Sequence, residues 1–386
     1  MNFSKAMKAA VIIFTGAIAA AGLTACGGIK TAADSPSKSG VKVGFIAALT
    51  GGAAAYGKSQ EEGIRMAVEE INQKGEISIE LFVEDSKGAP SDAMNVTKRL
   101  IQKKAAVIIG PMTSNEAKAA GPIMQNAKIP SLEISVTAEG ITEIGDYIFR
   151  NSVPESMNIP QTAKKTHRLL GYETAAILYA HDNEQHVTAQ KYFRKTLEEE
   201  GVKIVDVETF GSKDSEYSAQ LTNIENAKPD VVIVCSYYQE GARILKKMRE
   251  MGMNQPVLGD NGFVSPELGK MAGAAADNVY VSSMWSAARD MAVTKMFVDN
   301  YTKKYGHAPD QFAAAAYDGV YMAMDAVQRA GSVTDTRKIR DAMAEMKGFN
   351  GVCGTFSFDA KRDPVVDLVL LKMEDGVFLA VGKQSS

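Results

Sequence analysis

From Val41 onward, short continuously apolar runs alternate with stretches whose apolar positions recur every three to four residues. The runs VKVGFIAAL, ISIELFVED, AAVIIGP, TAAILYA, KIVDVETF, DVVIVCS and NVYVSS predict strands buried on both faces. Residues 59–72 and 92–102 predict helices; in the first, Ile64, Ala67, Val68 and Ile71 share one face. Lys74-Gly75, Glu200-Gly201 and Met251-Gly252 read as helix C-terminal caps. Strand after strand, each followed by an amphipathic helix, predicts an α/β fold with parallel sheets covered by helices. About four such units fall between residues 41 and 151 and about four more between 174 and 282, enough for two doubly wound, Rossmann-like lobes. The tail changes character. Helices at 291–305, 311–330 and 336–346 precede short strands at 355–358 and 367–374, a pattern expected to cover the first lobe and then cross again.

At 386 residues the chain exceeds what one hydrophobic core usually organises, which agrees with two lobes. Its net charge of −3 supplies no basic field for nucleic acid, so none is expected as a partner. The N-terminus carries Lys5 and Lys8, then an uncharged apolar run of 15 residues at 9–23. That run suits a secretory signal and falls short of the ~20 residues of a membrane-spanning helix. It ends in Leu23-Thr24-Ala25-Cys26, which resembles the lipobox of bacterial lipoprotein precursors. The resemblance implies a signal peptide at 1–25, a lipid on Cys26 that holds the protein to the membrane, and an extracytoplasmic location. Residues 26–40, small and polar, read as a flexible tether. Cys235 and Cys353 are expected to be buried free thiols.

Residues 52–59, Gly-Ala-Ala-Ala-Tyr-Gly-Lys-Ser, match the G-x-x-x-x-G-K-S phosphate loop and lie between a strand and a helix. Taken alone they suggest a nucleotide, with Lys58 at the terminal phosphates; the companion Asp for Mg²⁺ is present only generically, in Glu84-Asp85. His181 and His186, five residues apart, would point to different faces of a helix. They read as a polar helix start, with no metal and no cofactor expected.

With its neighbours the same loop reads GFIAALTGGAAAYG, and this resembles the opening of the leucine/isoleucine/valine-binding protein family, the type I periplasmic binding proteins of ABC importers. Further matches follow in order: Gly110-Pro111-Met112-Thr113-Ser114, PSLEISVTAEGIT at 130–142, Pro229-Asp230-Val231-Val232 with Tyr237-Tyr238, Gly259-Asp260-Asn261-Gly262, and Phe356-Ser357-Phe358-Asp359. The resemblance implies two lobes joined by three crossover segments, at 41–155 with 285–366 and at 156–284 with 367–386. It implies a monomer that catalyses nothing and hands a small amino-acid-like solute to an ABC permease. Ser114, Ser135, Val136 and Thr137 are then expected at the solute's carboxylate, which suits small hydroxyls and free amides beyond strand ends. Tyr56, Tyr237 and Tyr317 are expected as lining aromatics, Tyr237 beside the ammonium. The branched-chain binders place an acid for the ammonium where this chain has Asn261, so Asp260, Asn261 and Glu184 all stand as candidates for that group. A sensory ectodomain serving a membrane receptor is the alternative use of the same fold, and an NTPase using 52–59 is a remoter one.

Overall fold

The computed structural model describes residues 40–382. The expected signal peptide, Cys26 and all of the expected tether except Gly40 lie outside these residues, as do the last four positions of the second lobe's expected tail.

The first sheet is entirely parallel. It contains β1 (Val41–Ala47), β2 (Ile79–Asp85), β3 (Val107–Ile109), β4 (Ser131–Glu133) and β5 (Ile148–Arg150), in the order β2-β1-β3-β4-β5. Between its strands run α1 (Ala54–Lys74), α2 (Pro90–Gln102) and α3 (Ser114–Ala127); α4 (Glu155–Leu170) follows β5. The second sheet repeats the order. Strands β6 (Thr174–Ala180), β7 (Lys203–Phe210), β8 (Val231–Cys235), β9 (Val257–Gly259) and β10 (Val279–Ser283) run β7-β6-β8-β9-β10. Their connecting helices are α5 (Glu184–Glu199), α6 (Ser218–Ala227), α7 (Tyr238–Glu250) and α8 (Pro266–Ala272). All five residues of β8 are buried, as a central parallel strand covered on both faces requires.

The tail serves both sheets. Helices α9 (Ala292–Tyr305), α10 (Gln311–Ala330) and α11 (Thr336–Ala344) share a core with β1 through Phe297, Tyr301, Val320, Val327, Ile339 and Met343. A small sheet of β11 (Phe349–Gly351), β12 (Gly354–Phe358) and β13 (Pro364–Val365) follows. Then β14 (Val369–Glu374) pairs antiparallel with β10, and β15 (Val377–Ala380) with β14, so the last strands extend the second sheet. Cys235 and Cys353 are buried and free. No helix among the described residues is long and apolar enough to cross a membrane.

Helix α1 starts five residues before the sequence pattern indicates, because Gly57 lies inside its first turns rather than in a loop. A Cβ there would sit 2.0 Å from the Ala48 carbonyl oxygen, so only glycine lets the helix begin this close to β1. Six residues on, Gly63 does the same against α10, where a Cβ would meet the Ala313 carbonyl oxygen at 2.1 Å.

Candidate functional site

A doubly wound sheet opens a crevice where its strand order reverses, beyond the carboxyl ends of the strands. Here that point lies between β1 and β3 in one sheet and between β6 and β8 in the other. The loops leaving those strands, with the turns after β4 and β9 and the start of α10, face one another across a single gap. It is lined by Tyr56, Met112, Thr113, Ser135, Gln185, Tyr237, Asn261, Gly262 and Phe312. The gap has closed to about 10 Å³, on the order of what one water molecule needs. Side chains of both halves pack in it, and Tyr56, Met112 and Phe312 share a hydrophobic cluster with Tyr238 and Phe263 of the second half.

Tyr56 is the clasp. Its hydroxyl donates to the Gly262 carbonyl oxygen at 2.5 Å and accepts from the Tyr238 amide at 2.9 Å, so both bonds run from α1 to the second half. Its ring meets Tyr238 edge-on at 4.9 Å, Tyr237 edge-on at 5.7 Å and Phe312 at 4.5 Å. Burial pushes its hydroxyl pKa well up, so it stays a neutral donor. Around it the polar groups are mostly engaged. Ser135 Oγ donates to the Met112 carbonyl oxygen and accepts from Gln60 Nε2. Thr113 caps α3 reciprocally with Glu116, whose carboxylate takes the Thr113 amide at 2.9 Å. Gln185 differs: it is buried, and its Nε2 finds no partner among the described residues. A buried amide donor left this way at a cavity wall is a group that a solute can satisfy.

Behind the turn at 260–262 lies a buried polar cluster. His186 Nδ1 and Asp260 Oδ2 are 2.6 Å apart, both residues almost fully buried. The other Asp260 oxygen accepts from the Gly262 amide at 3.0 Å, and the His186 ring packs edge-on against Tyr237 at 4.8 Å. Glu155, the first residue of α4, accepts from the Asn261 amide at 3.2 Å and from Thr137 Oγ1 at 3.0 Å. Its burial, and then the Asp260 charge, drive its pKa well above the usual carboxylate range.

Of the expected site residues, Tyr56, Ser135, Tyr237 and Asn261 line the gap, and the other six are placed elsewhere. Ser114 turns inward, its hydroxyl accepting from the Ala138 amide. The Val136 side chain belongs to a hydrophobic cluster with Ile46 and Ile108. Thr137 and Asp260 stand one layer back, holding the walls. Glu184 pairs with Lys118 at 2.7 Å on the outer surface, and its neighbour Gln185 takes the cavity position. Tyr317 donates to Glu70 at 2.6 Å on a separate face, beside Phe297 and Tyr321. Sequence reading missed Met112, Thr113, Gln185, Gly262 and Phe312; Met112, Thr113 and Gly262 lie within matched motifs and Gln185 beside Glu184, whereas Phe312 carries no such signal. His186 does stand in the first turn of α5, as a polar helix start implies, but it is buried against Asp260, a partner 74 residues away that spacing does not record. Among the described residues no group of three or more His, Cys, Asp or Glu is arranged to hold a metal ion.

The G-x-x-x-x-G-K-S match builds no phosphate cradle. The Gly57 amide already bonds the Ala53 carbonyl, Ser59 Oγ donates to Asp310, and Lys58 is exposed. Asp85, which would have to hold Mg²⁺, accepts from the Leu49 and Thr50 amides and the Thr50 hydroxyl.

A family model described as periplasmic binding protein matches residues 40–376. Among solved structures, a leucine-binding protein LivK from Thermotoga maritima is 28% identical with a TM-score of 0.85, over 89% of this chain and 98% of that one. The branched-chain amino acid transporter substrate-binding protein LivJ from Streptococcus pneumoniae, in complex with isoleucine, is 31% identical with a TM-score of 0.83, over 88% and 98%. An ABC transporter solute-binding protein from R. palustris in complex with benzoate is 25% identical with a TM-score of 0.82, over 89% and 96%.

Proposed function

This chain belongs to the periplasmic binding protein family, and from that premise we propose that it captures a small amino-acid-like solute in the gap between its two sheets and delivers it to an ABC importer. The observation that carries the reading is the gap itself, lined from both sheets and clasped by Tyr56 across it. A solute enters when the halves, 41–155 with 285–366 and 156–284 with 367–386, part and let Tyr56, Tyr237 and Phe312 swing away. Closure over the solute then favours one conformation through contacts made only there, which is the difference a permease can read. The unpartnered Gln185 amide suits a carboxylate end, and Tyr56, Met112, Tyr237 and Phe312 suit an apolar body. A lipid on Cys26 would keep this monomer at the outer membrane face where solute and permease meet. No step of this cycle changes a covalent bond of the solute.

A second reading concerns the solute alone. None of the nine lining residues is an acid, Asn261 stands where the branched-chain binders carry one, and Asp260 is committed to His186 and Gly262. Three aromatic rings converge on the gap. Both facts favour an aromatic carboxylate without an ammonium group, and the resemblance to the benzoate-bound protein agrees.

Mass spectrometry of solute released by denaturing the purified protein tests both. A rise in melting temperature with L-amino acids supports the first reading, and one with benzoates but not amino acids selects the second. A response to neither class, with another class active, removes the carboxylate assignment.

A further inference from the structure

Besides bonds near the crossovers, such as Ser283 Oγ to Gln311 Oε1 and Arg289 to the Asp367 carbonyl oxygen, six polar contacts join the two halves without touching any residue that lines the gap, and they gather on one helix and the loop that leads into it. From the first half, Asn115 and Lys118 of α3 and Glu139 of the loop after β4 reach over to α5 and the loop that leads into it. Asn115 Nδ2 donates to the Asp182 carbonyl oxygen at 3.1 Å, and its Oδ1 accepts the Glu184 amide at 2.9 Å. Lys118 pairs with Glu184 at 2.7 Å. One turn further along, the Glu139 amide donates to Thr188 Oγ1 at 3.3 Å, while the Glu139 carboxylate accepts from Lys191 at 2.6 Å and from the Tyr192 hydroxyl at 2.7 Å. Those last two bonds hold the Glu139 carboxyl below its ordinary pKa.

We propose that this α3–α5 edge is a latch that sets how tightly the protein holds any solute, independently of what the solute is. It rests on the reading above only in that opening of the gap admits the solute. Contacts remote from the gap are made in the closed form and lost in the open one, so they shift the closed-to-open ratio by the same factor for every occupant. Both ion pairs are exposed, with side-chain exposures of 41% and 45% for Lys118 and Glu184 and 56% and 48% for Lys191 and Glu139. Each is therefore weak and screened by salt. Together they are worth roughly a five-fold change in that ratio, enough to tune retention without locking the gap shut. The arrangement also gives Glu184 a role. The side chain that sequence reading offered to the solute's ammonium instead governs whether the gap is open.

The Tyr238 amide is a reporter that needs no solute. Its acceptor is the Tyr56 hydroxyl across the gap, so it exchanges with deuterium when the halves part, and it lies well outside the latch. The full chain, stripped of solute by denaturation and refolding, is compared with the Lys118→Ala/Glu139→Ala double variant by exchange mass spectrometry of peptides containing Tyr238. The expected result is roughly five-fold faster exchange at that amide in the variant at 50 mM NaCl. Raising NaCl to 0.5 M should speed the wild type toward the variant and leave the variant nearly unchanged. The charge exchange Lys118→Glu/Glu184→Lys should restore most of the wild-type protection. Equal Tyr238 exchange in wild type and double variant, with matching melting curves, would overturn the latch. Faster exchange that is insensitive to salt and is not rescued by the charge exchange would overturn it too. Neither result depends on which solute, if any, passes the melting-temperature panel.

Discussion

Removing one oxygen, by Tyr56→Phe, separates the clasp from the packing. The phenylalanine ring keeps the edge-on contacts with Tyr237 and Tyr238 and the tilted one with Phe312. What disappears is a hydroxyl that serves as donor to the Gly262 carbonyl and acceptor for the Tyr238 amide. In the closed form both backbone groups would be left buried and unpaired, whereas in the open form water can reach them. A buried group stripped of its partner costs about 1–3 kcal/mol. Allowing for partial relaxation, the closed form should lose about 1–3 kcal/mol in total relative to the open one, or roughly five- to 150-fold in the closed-to-open ratio. Dissociation requires the halves to part, so the loss is read directly in the off-rate of the solute recovered from the purified protein, by stopped-flow displacement. An off-rate within two-fold of wild type, with an unchanged melting curve, would show that the Tyr56 hydroxyl does not hold the halves together.

Other outcomes follow from the buried groups and close approaches. Asp318 is fully buried and accepts the Val352 and Cys353 amides, and burial raises its pKa to about 7. The folded form therefore binds its proton more tightly than the unfolded chain, and stability should fall as pH rises from about 4 to 7, by up to ~1.4 kcal/mol per pH unit from this group. Asp318→Asn should flatten that slope in denaturant titrations run at several pH values; an identical slope would refute the assignment. His186→Leu strands the Asp260 carboxylate, and a loss of about 3–5 kcal/mol in unfolding free energy is expected. A loss under 1 kcal/mol would mean that the pair holds nothing in place. Gly63→Ala forces a methyl group to within 2.1 Å of the Ala313 carbonyl oxygen, so α1 and α10 must move apart at a cost of at least about 1–3 kcal/mol. A melting temperature equal to wild type would show that this contact is slack.

Much of the architecture is legible because buried parallel strands leave an unmistakable record. VVIVC at β8 and VKVGFIA at β1 have no polar face to confuse the reading, and the helix expected at 311–330 coincides with α10, which the structure shows capped by Asp310 and ended at Gly331. The three-residue strands β4, β5 and β9 are not legible as strands, because each lies in a short stretch broken by polar or turn residues, whereas the equally short β3 sits inside the longer apolar run AAVIIGP. The site was only partly legible for a related reason. Motifs fix which loops reach the gap but not which way each side chain turns, and a rotation of one residue exchanges Glu184 for Gln185 as the group facing inward. The buried His186–Asp260 pair joins positions 74 residues apart, and no local pattern announces such a partnership.

The two sheets are finished by the last part of the chain. β10 gains its outer neighbour only when β14 arrives, and α1 waits some 240 residues for α10 to cover it. During synthesis, then, the first three quarters of the polypeptide carry an uncovered sheet face and an unpaired strand edge. Pairings this distant in sequence form slowly, so the native form is completed only once the C-terminal segments are available.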